Sequence, residues 1–259
     1  MLRFPQRTFV FIGDSTYGTH AVARFCHRHR ARLQLVSKLH AAANLYQPPP
    51  PYRGLGRPRV KGAKLPKPAE TAATQRRQRV RVGWYGGGTR LVEVVSATGN
   101  WYRSGHGLVP IRWVFVHDLT GTHRDEYFYT TDLGLAPAAL ITLYTGRWNI
   151  ETTFQELRSH LGLETTRGWC RQTVLRMAPC LFGLYTVVAW LYHALPSSQR
   201  LGAVQWRGKA TVTFSDALGA VRRWLWTQSV LPQASADAAV TKLPAALRDI
   251  LLSALAPAC

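Results

Sequence analysis

An α/β fold with a β-rich middle and a helical carboxyl-terminal region is predicted from three features of this chain. Two apolar runs near the start flank an amphipathic segment, which reads as strand, helix, strand. Four more β-rich runs lie between residues 79 and 131, and from Pro137 onward the apolar spacing becomes helical.

Thr8–Gly13, TFVFIG, is a short apolar run closed by Gly and Asp, so it predicts a buried strand with Asp14 at its carboxyl end. Thr19–Arg30 predicts a helix whose last turn carries His27–Arg30, where the helix dipole favours positive charge. Leu33–Leu39 is a second apolar strand, and strand, helix, strand at this spacing implies a parallel βαβ unit. Pro48–Gln78 breaks the pattern. It opens with four prolines, shows no hydrophobic period and reads as an extended or mobile loop. Between Arg53 and Arg81 it and its flank hold ten Lys or Arg against the single acid Glu70.

Arg79–Trp84, Arg90–Ser96, Ile111–His117 and Tyr127–Thr131 then read as strands separated by Gly-rich or polar turns. Gly86–Gly88 predicts a hairpin turn, since no GxxxxGK[ST] follows to make a phosphate loop. Pro137 is placed to open a helix carrying Leu140–Tyr144, and Ser215–Thr227 and Pro244–Leu255 read as amphipathic helices. The organisation expected is a strand–helix–strand core over 1–39, a basic loop and β-rich segment over 40–131, helices including an apolar core helix over 132–195, and a helical region over 196–259.

Lys and Arg total 33 against 13 Asp and Glu, a formal net charge of +20. An excess of that size points to a polyanionic partner and away from an enzyme of neutral substrates. Nine Trp and 46% hydrophobic residues exclude a disordered basic tail. Cys26, Cys170, Cys180 and Cys259 are scattered without a CxxC or Cys/His cluster, which argues against structural zinc and a disulfide framework and fits a reducing cytoplasm. Residues 1–20 lack a signal-peptide pattern. Met177–Leu195 is uncharged for 19 residues. Pro179, Gly183, His193 and the lack of a second such stretch favour a buried core helix over a membrane span.

The richest segment is Leu143–Gly162, LYTGRWNIETTFQELRSHLG. On one continuous helix Tyr144, Arg147, Glu151 and Arg158 would share a narrow arc, with Ile150, Phe154, Leu157 and Leu161 forming a buried stripe beside it. A carboxylate flanked by arginines and a phenol suits a metal ion held near a phosphate. An amphipathic helix pairing its charges in water is the alternative.

The order Tyr144, Arg147, Glu151, Arg158 resembles the signature of DDE transposases of bacterial insertion sequences, which more often have Lys at the last position. YFYTTDLGL before it and LGLETTRGW after it are similar to that family as well, and the likeness runs from about Phe9 to about Leu195. The resemblance implies an RNase H-like catalytic fold in which three carboxylates surround two Mg²⁺ ions, with Mn²⁺ as an alternative. Asp14 in GDSTYG matches the second Asp and Glu151 the third carboxylate, the two implied metal ligands. They are 137 positions apart, which implies an insertion of the kind some insertion-sequence transposases carry. Only thirteen residues precede Asp14, so the first Asp is expected to be missing and the chain to be an amino-terminally truncated copy. Asp118, Asp125 and Asp132 lie in or beside the insertion and are poor substitutes.

By the same resemblance Tyr144, Arg147 and Arg158 would position DNA phosphate, and Trp148 would pack or stack on a base. Arg57, Arg59, Lys61 and Lys64 in the basic loop are the other phosphate-binding candidates. GRPR resembles a minor-groove hook, although a generic phosphate-binding loop is the simpler reading. The implied activity is DNA strand cleavage and transfer at the ends of an insertion sequence, by a homodimer on double-stranded DNA in the bacterial cytoplasm and nucleoid, without a membrane. A non-catalytic DNA-binding remnant and, more distantly, a membrane-associated basic protein are the competing classes.

Overall fold

The computed structural model describes residues 4–52, 54, 56–164, 170–200, 212–230 and 243–255. Arg53, at the start of the basic stretch, and the residues 165–169 of the LGLETTRGW likeness lie outside this set. The chain forms two compact units, Met1–Ile150 and Glu151–Cys259.

The first unit is a mixed sheet covered by helices on both faces. The opening elements come in the order expected, β1 (Phe9–Ile12), α1 (His20–Arg28) and β2 (Leu33–Lys38), with β1 and β2 parallel and Phe9 opposite Leu33, but β1 is half-exposed and not the buried strand expected, because it lies at the sheet edge. The Thr19 hydroxyl caps α1 by accepting the Val22 amide, and His27 and Arg28 sit in its last turn. After β3 (Leu45–Tyr46), α2 (Pro68–Thr74) and β4 (Gln78–Gly83) come two long strands, β5 (Thr89–Arg103) and β6 (Gly107–Asp118), then β7 (Glu126–Thr130) and α3 (Pro137–Gly146).

The strands assigned to an insertion are the body of the sheet. Strand β7 pairs antiparallel with β2, Val36 opposite Thr130, and the order continues β1-β2-β7-β6-β5, with β3 and β4 sharing the far side of β5. Among the described residues β1 is therefore an edge strand, and its Val10 and Phe11 are exposed.

Period-two alternation sorts the core. Leu35, Phe115 and Tyr129 face α1 and α2, where Ala23, Cys26 and Ala72 meet them. Their neighbours Val36, Val114, Val116 and Phe128 face the other way, against Leu140, Ile141 and Tyr144 of α3. Gly86 and Gly87 adopt φ of 78° and 83° in the turn joining β4 to β5, the hairpin read from the glycines.

The Pro48–Gln78 stretch is more ordered than its composition suggests. The Glu70 carboxylate accepts the Lys67 amide at 3.0 Å at the start of α2, and Gln47 and Ala63 are joined by a backbone hydrogen bond of 2.8 Å.

The second unit is helical: α4 (Asn149–Leu161, whose first residues belong to the preceding unit), α5 (Arg171–Ala194), α6 (Phe214–Leu225) and α7 (Ala245–Leu255). Its core joins Val188 and Leu195 to Phe214, Leu218 and Val221. Helix α5 departs from the buried core helix expected: Val174, Leu175, Leu184, Val187 and Trp190 are exposed. It is the single described helix long and apolar enough to cross a membrane, and one such helix does not mark a membrane protein. The architecture as a whole is mixed α/β with a helical carboxyl-terminal region, consistent with a partial RNase H-like fold.

Candidate functional site

Asp14 follows the carboxyl end of β1 and is held from two directions. Its Oδ1 accepts the amides of Thr16 (2.9 Å) and Tyr17 (3.3 Å). Its backbone carbonyl accepts the Gly18 amide (2.9 Å) and the Ser37 hydroxyl (2.8 Å). Glycine is needed at position 18, because a Cβ there would lie 2.4 Å from Ser37 Oγ. These bonds leave Oδ2 of a well-anchored carboxylate open.

Continuing the parallel register of β1 and β2 brings Lys38, the last residue of β2, level with Asp14. Lys38 opens a pocket of about 430 Å³ that also takes in Glu126, Tyr85, Tyr144, Arg147 and Trp148. Glu126 binds the Lys38 ammonium and accepts the Tyr85 hydroxyl at 3.2 Å. Burial, then the Glu126 charge and hydrogen bond, push the Tyr85 phenol far above its ordinary value. Burial also raises Tyr144, the Arg147 guanidinium lowers it, and the charges of Glu126 and Asp14 raise it further.

The single helix expected through the Tyr–Arg–Glu segment is broken. Helix α3 ends at Gly146, Arg147 and Trp148 form a tight turn closed by amide bonds to the Tyr144 and Thr145 carbonyls, and α4 begins at Asn149. Tyr144 is consequently core, 2% exposed and stacked on Phe128 at 4.3 Å, with its hydroxyl end bonded to Arg147 at the pocket. Trp148 is exposed and meets the Tyr85 ring edge-on at 6.1 Å.

The loop after β6 supplies the remaining wall. Asp118, 2% exposed, accepts the Arg90 guanidinium (2.8 Å), the Thr120 and Thr122 hydroxyls (2.8 and 3.0 Å) and the His123 amide (3.1 Å). Burial alone would raise its pKa. The Thr120, Thr122 and His123 hydrogen bonds outweigh burial and hold the carboxyl well below its ordinary range. The loop so fixed stacks His123 on Tyr85, centroids 5.4 Å apart and planes 6° apart, and brings Arg124 to the pocket.

In the second unit Glu151 is an exposed acid in the first turn of α4, where the dipole favours a carboxylate. Arg158 directs its fork at Glu164, at 2.7 and 3.0 Å. Of the stripe expected beside them, Leu157 is fully buried, whereas Ile150 is 55% exposed. Arg57, Arg59 and Lys64 are exposed in the basic loop, and Lys61 lies between the rings of Tyr46 and Tyr102.

The structure therefore brings Asp14, Tyr144 and Arg147 to one end of the sheet, with the Arg57–Lys64 stretch elsewhere. Lys38, Tyr85, His123 and Glu126 were missed by sequence reasoning. The end of the second parallel strand is a general place for site residues and could have flagged Lys38. Nothing local marked Glu126.

Among the described residues no cluster of three or more His, Cys, Asp or Glu could by itself hold a metal ion. Asp14 and Glu151 each offer hard oxygen donors of the type Mg²⁺ prefers. An anchored acid at a strand end, a cationic and aromatic pocket beside it and a charge of +20 define an α/β protein that handles a phosphate polyanion. The family model described as transposase DDE domain matches residues 1–183, and the chain belongs to that family. DNA is accordingly its substrate class, and divalent metal ions are the cofactor class of such domains. Comparison with curated proteins finds no match.

Proposed function

We propose that this chain derives from an insertion-sequence transposase whose reaction is cleavage and transfer of DNA strands at the element's ends, with Asp14 and Glu151 as two of three metal-holding carboxylates. The observation that carries the reading is the anchored Asp14 carboxylate, level in the sheet with Lys38 at the mouth of the pocket formed by Tyr144 and Arg147 of the Tyr–Arg–Glu signature. Mg²⁺, or Mn²⁺ in its place, supplies activation of the attacking oxygen and relief of charge on the leaving one when bound.

The residues have separable tasks. Asp14 presents Oδ2 from a fixed strand end, and Glu151 presents its carboxylate from the first turn of α4. Arg147 offers a planar fork to phosphate oxygens, and Tyr144 fixes it through their shared hydrogen bond. Lys38 adds positive charge at the pocket while Glu126 orients it. Family members of this kind act as homodimers on the nucleoid, which we carry over to this chain.

The third carboxylate is the deciding question. Among the described residues no group of three or more His, Cys, Asp or Glu could hold a metal ion, and β1 is an edge strand with Val10 and Phe11 exposed. These observations favour a second reading, a DNA-binding remnant without catalysis. Incubation with supercoiled plasmid in Mg²⁺ or Mn²⁺ distinguishes the two. The chain is expected to bind but not nick. Nicking that is lost in Glu151→Gln would show a complete site and overturn the remnant reading.

A further inference from the structure

Far from Asp14, at the opposite side of the sheet, the basic loop is built as a fixed device. Its two ends are pinned: the Gln47 amide donates to the Ala63 carbonyl at 2.8 Å and the Gly62 amide returns to the Gln47 carbonyl at 3.0 Å. Gly62 is required at this crossing, because a Cβ would lie 2.3 Å from the Pro48 carbonyl oxygen. Between the pins run five prolines, Pro48–Pro51 and Pro58, stiff by composition, and the Tyr52 hydroxyl donates to the Gly56 carbonyl at 2.9 Å. A compact loop with adjoining ends is an Ω-loop, a type that often carries function.

The loop is fastened to the sheet by a cation. Lys61 Nζ sits 4.1 Å from the centroid of the Tyr46 ring and 4.5 Å from that of Tyr102, and those rings meet edge-on at 6.0 Å. Tyr46 belongs to β3 and Tyr102 to the end of β5. An open cleft of about 710 Å³ lies between the loop and the β5–β6 hairpin tip, lined by Arg57, Arg59, Tyr102, Ser104 and Gly105 with no acid in its lining. The hairpin glycines, Gly105 and Gly107, have φ of 74° and 78° and leave the backbone bare where a ligand would approach. Forked cations over an open, acid-free cleft match the phosphates of a nucleic-acid backbone.

We propose that this cleft is a second DNA contact, gripping the duplex backbone through Arg57 and Arg59, and that Lys61 is a positioning residue that anchors the loop. The inference rests on the DNA-binding reading above and assigns it a site separate from the Asp14 pocket. Lys61 also lines this cleft, and its contacts with the two rings give it an internal task.

Fluorescence anisotropy with a labelled duplex, titrated between about 50 and 200 mM salt, tests both parts. Arg57→Gln/Arg59→Gln, on exposed positions, should bind at least about tenfold more weakly and lower the log–log salt slope by about two. Tyr102→Leu removes no charge, yet should weaken binding several-fold. Lys61→Gln should match that loss, Lys61→Arg should restore binding, and the Lys61→Gln/Tyr102→Leu double variant should be no worse than either single change. Absence of binding by the unaltered chain defeats the DNA-binding reading itself. Binding that is unchanged in affinity and slope by Arg57→Gln/Arg59→Gln overturns the cleft alone. Additive losses at Lys61 and Tyr102 overturn the anchoring role.

Discussion

Asp118 carries a structural charge whose value can be read in pH. It is almost wholly buried, pairs with Arg90 and collects three further hydrogen-bond partners from the loop that brings His123 to Tyr85. An amide in its place keeps the shape but points donors at donors and leaves Arg90 uncompensated, so Asp118→Asn should cost about 3 kcal/mol in chemical denaturation. A folded-state pKa held below the ordinary 3.8 stabilises the fold fully above that value, and the gain is lost as pH falls from there through the lowered one. The unaltered chain should therefore lose stability steeply on acidification below about pH 4, and Asp118→Asn should flatten that part of the curve. Tyr144 separates packing from chemistry in the same way. Tyr144→Phe keeps the ring on Phe128 and should weaken DNA binding with little change in melting temperature. Tyr144→Ala should cost about 3–5 kcal/mol of stability through the cavity it leaves.

At the scale of elements, the β1–α1 junction sets where Asp14 points. Gly18→Ala drives a methyl into the Ser37 hydroxyl that supports the Asp14 carbonyl, an overpacking worth about 1–3 kcal/mol. Adding Ser37→Ala removes the obstructing oxygen, so the double variant should recover part of the loss, and purely additive losses would refute the steric account. This junction was legible because TFVFIG, the glycine and the aspartate follow strand-end rules that act within a few residues. The α3–α4 break was not. A helical period cannot report a tight turn at Arg147–Trp148 when no proline marks it and Gly146 is tolerated at a helix end. Strand β5 was read short for a related reason: Gly99 and Asn100 look like loop residues, yet Gly99 is needed where a Cβ would lie 3.0 Å from Leu65 and 3.1 Å from Leu45. The continuity of β7 with β2 depends on pairing across more than ninety residues, which no local window contains. For the same reason Asp14, Tyr144 and Arg147 could be named from the sequence, whereas Glu126, which reaches Lys38 from β7, could not.

For the whole molecule the dominant quantity is the net charge of +20, and it acts on a polyanion through released counterions. Few of the cations are neutralised internally in a way that would cancel this. Lys38, Arg79, Arg90 and Arg158 pair with acids, but the chain has only 13 Asp and Glu to set against 33 Lys and Arg. The exposed pair Arg158–Glu164 is also weak enough in water to exchange a carboxylate for a phosphate. Two separate faces, the Asp14 pocket and the Arg57–Arg59 cleft, would then touch one duplex, so the number of phosphates engaged should exceed what either could reach alone. With about 6–10 phosphates neutralised, affinity for duplex DNA should fall by roughly 10³–10⁵ between 50 and 200 mM salt. Sequence should matter little, because the cations identified here address the backbone and not base edges. Competition with random duplex at each salt concentration checks both statements. A slope near zero would mean that the charge excess serves something other than DNA, and a strong preference for one sequence would mean that some of these arginines read base edges.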